Sequence, residues 1–97
     1  MSEKIIIVAE IISKPGEIEN LKAEVLKLIE PSRAEPGNIS YELHRDLEDD
    51  NKLVMIEQFK DEEAFQKHAA SEHFQSFGES AKPYLAGVNI KKLNRLA

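Results

Sequence analysis

Cysteine is absent from this 97-residue chain. That excludes disulfides, thiolate nucleophiles and cysteine-based zinc or iron–sulfur sites. A concentration of positive charge is also missing. The net charge is −5, and the one small group of cations, Lys91, Lys92 and Arg95, falls short of the basic footprint that nucleic acid requires. Nucleic acid and anionic membranes are therefore not expected partners. No apolar run approaches the length of a membrane span. The start, Met1-Ser2-Glu3-Lys4 and then a short apolar run containing Glu10, lacks the marks of a secretory signal. The expectation is a cytoplasmic protein. There is no Gly-rich phosphate loop and no serine elbow motif. A chain of this length is one domain that buries about 65% of the surface its unfolded form exposes. Little apolar material is left for a deep cavity, so a sizeable pocket needs a partner chain or a gap between helix and sheet.

What is present is a regular succession of periodicities. Lys4 to Ser13 is rich in β-branched residues and reads as a strand. It is apolar on both parities, with Ile5, Ile7, Ala9 and Ile11 on one face and Ile6, Val8 and Ile12 on the other, so both faces should be covered. After a Lys14-Pro15-Gly16 turn, Ile18, Leu21, Val25, Leu28 and Ile29 form one helical stripe over about Glu17 to Glu30. Pro31 should stop or kink that helix. Asn38 to Asp46 reads as a second strand, with Ile39, Tyr41 and Leu43 on one face and Ser40, Glu42 and His44 on the other. The loop from Leu47 to Asn51 leads to a third strand, Lys52 to Phe59, again apolar on both sides apart from Glu57 and Gln58. Asp61 and Ser71 look like successive N-caps. They predict one helix carrying Phe65, His68 and Ala69, a break near Ala70, and a second helix carrying Phe74, Phe77 and Ala81, ended by Pro83 and Gly87. Val88 to Leu93 is the last strand.

The fold class is therefore α+β, in the order β-α-β-β-α-β of a ferredoxin-like domain over residues 4–93, with an antiparallel sheet. Right-handed crossovers place both helical stretches on one face. The other face remains apolar, and pairing with an identical chain is the simplest way to bury it. A homodimer is the expected assembly.

Three blocks carry a resemblance. The first is Val8-Ala9-Glu10-Ile11 with Lys14-Pro15-Gly16. The second runs from Ser32-Arg33-Ala34-Glu35-Pro36-Gly37 through Asn38-Ile39-Ser40-Tyr41-Glu42-Leu43. The third is Met55-Ile56-Glu57-Gln58-Phe59, then Asp61-Glu62-Glu63-Ala64-Phe65, His68 and Ser71-Glu72-His73-Phe74. Together they resemble the antibiotic biosynthesis monooxygenase (ABM) domain family, and within it the quinol monooxygenase type. The resemblance implies a ferredoxin-like domain dimerised into an α/β barrel. It implies a monooxygenase that oxidises a small quinol or a phenolic or polycyclic aromatic substrate with O2, without metal, flavin or other cofactor. Such chemistry needs a dry pocket, a base and groups that stabilise a phenolate. The chain departs from the pattern at Phe59, where many members have Trp. It also lacks the first-strand Asn and the His, here Gly78, of the haem-degrading branch.

Within that frame the expected catalytic residues are His68, Glu57 and Tyr41, and the expected substrate contacts are Phe59, Met55, Phe65, His73 and Arg33. Each has a plainer role beside the functional one. His68 is either a core histidine bonded to backbone or an imidazole base for a phenolic proton. Glu57, on an inward parity, is either half of an ion pair with Arg33 or Lys67, or a group that orients His68 or bonds the substrate hydroxyl. Tyr41 is either a core ring or a hydrogen-bond partner of a substrate oxygen. Arg33 and Glu35 are expected to pair and pin the helix exit. His73 faces the pocket mouth or solvent, and His44 the dimer side or an edge. Metal binding gains no support from spacing, since His68 and His73, five apart, do not share one helix face. Two other readings use the same fold: an isomerase of a phosphorylated signalling sugar, needing a cationic clamp for which Arg33 and Arg45 are the candidates, and a non-catalytic ligand-binding or stress-response module.

Overall fold

A computed structural model describes residues 4–97. Met1 to Glu3, part of the stretch read as lacking a secretory signal, lie outside the described residues. Four strands and four helices follow in the order β1 (Ile5–Ser13), α1 (Ile18–Leu26), α2 (Ile29–Arg33), β2 (Asn38–Arg45), β3 (Lys52–Phe59), α3 (Glu62–Ala69), α4 (Glu72–Ser80) and β4 (Leu85–Leu93). The sheet order is β2-β3-β1-β4, and every pair of neighbours is antiparallel. This is the expected ferredoxin-like arrangement, with each crossover helix broken into two. Among the described residues no helix is long and apolar enough to cross a membrane.

Register decides which residues meet the helices. Ile7 pairs with Glu57, Ala9 with Met55 and Ile11 with Leu53 across β1 and β3, and all six are buried. Leu21, Val25 and Leu28 close over this face from α1 and the turn after it, and Phe77 and Ala81 close from α4. Ile6, Val8, Ile12, Val54 and Ile56 share the opposite face and are only half-buried. Leu93, also on that side, is 46% exposed. The doubly apolar strands thus have one face under the helices and one open.

Four local expectations are corrected. The first helix breaks at Lys27 and Leu28, not at Pro31. Pro31 is the third residue of α2, in the first turn, where its missing N–H has no helical partner to lose. Ile39 does not share Tyr41's environment: the β2–β3 register shifts between Asn38 and Ser40, and the extra residue is turned out, 47% exposed. The last strand starts at Leu85, three residues before the expected Val88. Gly87 consequently lies inside β4, paired with Ile12 beside a register shift. Asp61 and Ser71 cap α3 and α4 as expected, each accepting a backbone N–H, from Ala64 and Phe74.

Two features of this frame shape the site. Gly37 passes so close to α3 that a Cβ there would overlap the Cβ of Ala64, and this close approach brings Glu35 up to the α3–α4 junction. At the other side, Val88 and Ile90 lie on the helix-facing parity of β4, opposite Ile11 and Ala9. They are nevertheless 42% and 51% exposed, because the helices do not extend over this edge strand.

Candidate active site

Between the helices and the sheet lies a small, mostly apolar cavity of about 60 Å³. Tyr41, Met55, Glu57, Phe65, His68 and Phe74 are among its walls, and Val88 and Ile90 form its β4 side. His68 stands at its centre. It is the seventh residue of α3, on the inward face, and is 2% exposed. Its ring is packed among aromatics: Phe59 at 5.1 Å, Phe74 at 5.2 Å and Tyr41 edge-on at 5.4 Å between centroids. These contacts leave the imidazole little freedom to turn.

Its nitrogens have different partners. Nδ1 lies 2.9 Å from Oε2 of Glu35. Nε2 faces Oε1 of Glu57 at 3.8 Å, beyond hydrogen-bond reach. An ionised carboxylate only accepts, so Nδ1 of His68 donates to Glu35. In the neutral ring Nε2 therefore presents its lone pair toward the cavity. The same Glu35 oxygen accepts a second hydrogen bond at 2.6 Å, from Nε2 of His73. Glu35 thus ties together the loop before β2, α3 and α4.

Glu57 occupies the middle of β3, between Ile7 of β1 and Tyr41 of β2, and is 5% exposed. Burial, reinforced by the negative charge of Glu35, pushes its carboxyl up to about 8. It is consequently a neutral acid at neutral pH. Burial likewise raises the Tyr41 phenol, helped by Glu57 and opposed by the Ser32 hydroxyl, so Tyr41 keeps its proton. Oε1 of Glu57 and Oε1 of Glu35 are buried without a hydrogen-bond partner. Buried acceptors left unpaired are rare in native proteins and call for a water, an ion or a functional role.

The state of Glu57 has a measurable consequence. An unfolded chain releases this proton near the ordinary carboxyl value of 4.5, whereas the folded chain holds it to about 8. Between those values the native state binds more protons, so stability falls as pH rises through this window. Glu57→Gln stays neutral and removes that slope. Melting curves should show the variant gaining on the wild type as pH rises, by up to about 5 kcal/mol above the folded-state pKa. Parallel curves for the two proteins would mean that Glu57 is charged throughout.

The expected site residues thus divide. His68, Glu57, Tyr41, Met55 and Phe65 meet at the cavity. Phe59 does not reach its wall. It is fully buried beneath His68 and against Phe65, at 5.7 Å between ring centroids, so it supports the imidazole rather than touching a ligand. His73 also lies off the cavity, bordering an open groove of about 550 Å³ with Glu24 and Glu72. Arg33 is exposed, and its Nε donates to the backbone carbonyl of Tyr41. The Arg33–Glu35 pair does not form, because Glu35 is turned to the two histidines. Nor is Glu57 paired with Arg33 or Lys67; His68 is the one counter-group near it among the described residues. Glu35 is the residue of this cluster whose place the sequence does not reveal. The available signal was its place beside Pro36-Gly37, within one of the blocks of family resemblance.

Comparison with known proteins agrees with this architecture. The profile of the family described as antibiotic biosynthesis monooxygenase matches residues 4–80. YcnE of Bacillus subtilis, carried under the name of a candidate monooxygenase, is 38% identical over 82 residues, covering 84% of this chain and 86% of that protein. The crystal structure of PA3566 from Pseudomonas aeruginosa superposes with a TM-score of 0.94 at 40% identity, over 100% of this chain and 98% of that one. Rv0793 from Mycobacterium tuberculosis superposes with a TM-score of 0.90 at 25% identity, over 98% and 97%.

Proposed function

The chain belongs to the antibiotic biosynthesis monooxygenase family, and on that premise we propose that it oxidises a small quinol or related phenol with O2 at the His68 cavity, using neither metal nor flavin. The observation that carries the proposal is the orientation of His68. Its Nδ1 is anchored on Glu35 and its Nε2 is directed into an apolar space beside a second carboxyl group. That is the arrangement of a general base whose tautomer is fixed by a carboxylate.

In the proposed sequence Nε2 takes the phenolic proton, and the apolar wall makes the phenolate electron-rich. The phenolate passes an electron to O2, and the two radicals join through a new carbon–oxygen bond. Glu57, neutral at neutral pH, stands where it can give a proton to the peroxide. The O–O bond then breaks as the ring carbon loses its hydrogen as a proton. A quinol and one O2 thereby give a hydroxyquinone and one water, with four electrons moving from ring to oxygen. The ring proton restores Glu57, and the leaving hydroxide takes the proton held by His68 and departs as water, so both residues end in their starting states. Tyr41, which keeps its proton, can hydrogen-bond a substrate oxygen.

The cavity of about 60 Å³ is smaller than the roughly 150 Å³ that holds benzene. A substrate ring must therefore displace Phe65 or Phe74, both only half-buried, or extend over the uncovered Val88 and Ile90. No Lys or Arg is in the cavity wall, which favours a neutral aromatic over a phosphorylated sugar. The half-exposed open face of the sheet supports a homodimer, as does its apolar centre at Val8 and Ile56. We place the protein in the cytoplasm.

Oxygen-electrode measurements against a panel of hydroquinones test the reading. Uptake above autoxidation, saturable in one class of quinol, is the expected result. A chain that binds quinols but consumes no oxygen would instead be a ligand-binding module.

A further inference from the structure

We infer that Glu35, His68 and His73 together form a binding site for one divalent transition-metal ion of the Zn²⁺, Ni²⁺ or Cu²⁺ class. The donors come from three segments, the loop before β2, α3 and α4, and their ligating atoms all lie within 4.8 Å of one another. The five-residue spacing of the two histidines suggested otherwise only if they shared a helix. The break at Ala70 and Ser71 puts them on separate helices, and the loop supplies the third ligand.

Four observations point to a cation here. One carboxylate oxygen is approached by two imidazole nitrogens, at 2.9 Å and 2.6 Å. The other oxygen of Glu35 is buried with no partner, so this carboxylate has acceptor capacity that the protein does not use. The set itself, two imidazoles and a carboxylate, is the donor chemistry that borderline divalent ions select. Behind it stands a second carboxyl: Glu57 lies 3.8 Å from the far nitrogen of His68, a small side-chain shift from the hydrogen bond by which outer carboxylates fix metal-bound histidines. An ion also has a way in. His73 is 24% exposed in its side chain and borders the open groove that Glu24 and Glu72 line.

Donors at about 2.0–2.2 Å from one ion can stand at most roughly 4.4 Å apart. Seating the ion therefore needs Glu35 and His73, the two less buried ligands, to close by side-chain torsion on the fixed ring of His68. The ion replaces the two hydrogen bonds to Glu35. The protons on Nδ1 of His68 and Nε2 of His73 leave these atoms, and each ring carries one on its other nitrogen, that of His68 turned toward Glu57. The inference stands apart from the oxidation reading, which uses Nε2 of His68 in the metal-free chain, while the ion uses Nδ1.

Calorimetric titration of chelator-stripped protein with Zn²⁺ near neutral pH tests it, with Co²⁺ absorption as the spectroscopic probe. One ion per chain should bind with a Kd of about 10⁻⁶ M or tighter. His73→Ala and Glu35→Gln should each weaken it at least tenfold, by roughly the 10–100-fold that even outer-sphere changes produce. His44→Ala, which removes the one histidine outside the cluster, should leave it unchanged. If Glu35→Gln proves unstable, His73→Ala decides the matter alone, because His73 is on the groove side and half-exposed. Absence of stoichiometric binding, binding abolished by His44→Ala, or binding indifferent to His73→Ala would reduce the cluster to a hydrogen-bonded triad.

Discussion

His68→Ala is expected to lower hydroquinone-dependent oxygen consumption by roughly 10²–10⁴-fold, the range that a positioned general base contributes. The residue is 2% exposed and makes one of the two hydrogen bonds that hold Glu35, so alanine also leaves a cavity and a carboxylate held by His73 alone. A melt alone cannot separate those effects from lost chemistry. His68→Asn does, because the amide nitrogen of Asn occupies the place of Nδ1 and keeps the bond to Glu35, while the basic Nε2 is gone. The prediction is that Asn restores most of the stability lost in Ala and almost none of the turnover. If Asn recovers activity along with stability, His68 is a structural residue and the base lies elsewhere, with Glu57 the next group in the wall.

The second large effect concerns assembly. Val8 pairs with Ile56 at the centre of the open sheet face, where both are half-buried in the single chain. A two-fold interface brings the same patch of each copy together. Val8→Asp therefore buries two carboxylates at once. At roughly 2–3 kcal/mol each, this should raise the dimer dissociation constant by roughly 10³–10⁴-fold. Sedimentation equilibrium of wild type should give about twice the 11.0 kDa chain, and of the variant one chain with a native-like melt. Leu47→Asp, at a position 94% exposed in the loop after β2, should change nothing. The register settles which first-strand residues such a test can use: Ile7 lies beneath the helices, whereas Ile6 and Val8 face outward. A wild-type chain that is monomeric at micromolar concentration would contradict the proposed pairing.

Much of the architecture was legible because its signals are local. The β-branched run from Ile5 to Ile12, the caps Asp61 and Ser71, and the turn at Lys14-Pro15-Gly16, where Gly16 has φ of +79°, each act within a few residues. The misreadings occurred where geometry depends on distant chain. Pro31 looked like a helix stop, but its effect depends on where the next helix begins, which the packing of Leu28 decides. Ile39 looked inward because alternation was counted through a bulge that only the partner strand reveals. The candidate site is legible in part. His68, Glu57 and Tyr41 could be chosen because inward parity and polar character together are unusual. Glu35 could not be placed, because its role depends on a loop approaching α3 at Gly37 and on two histidines meeting across a helix break. Arg33 and His73 carry suitable chemistry, but the fold turns Arg33 to solvent and commits Nε2 of His73 to Glu35, off the cavity.

The central claim is that this chain puts an oxygen atom from O2 into an aromatic ring, with His68 as base. The most direct measurement is mass spectrometry of the product formed from a quinol substrate under isotope-labelled O2, in enzyme passed through chelator and free of flavin. The account predicts a hydroxyquinone carrying one labelled oxygen atom, one O2 consumed per product, and loss of both in His68→Asn. A quinone product without label, or labelled product formed equally by wild type and His68→Asn, would contradict it.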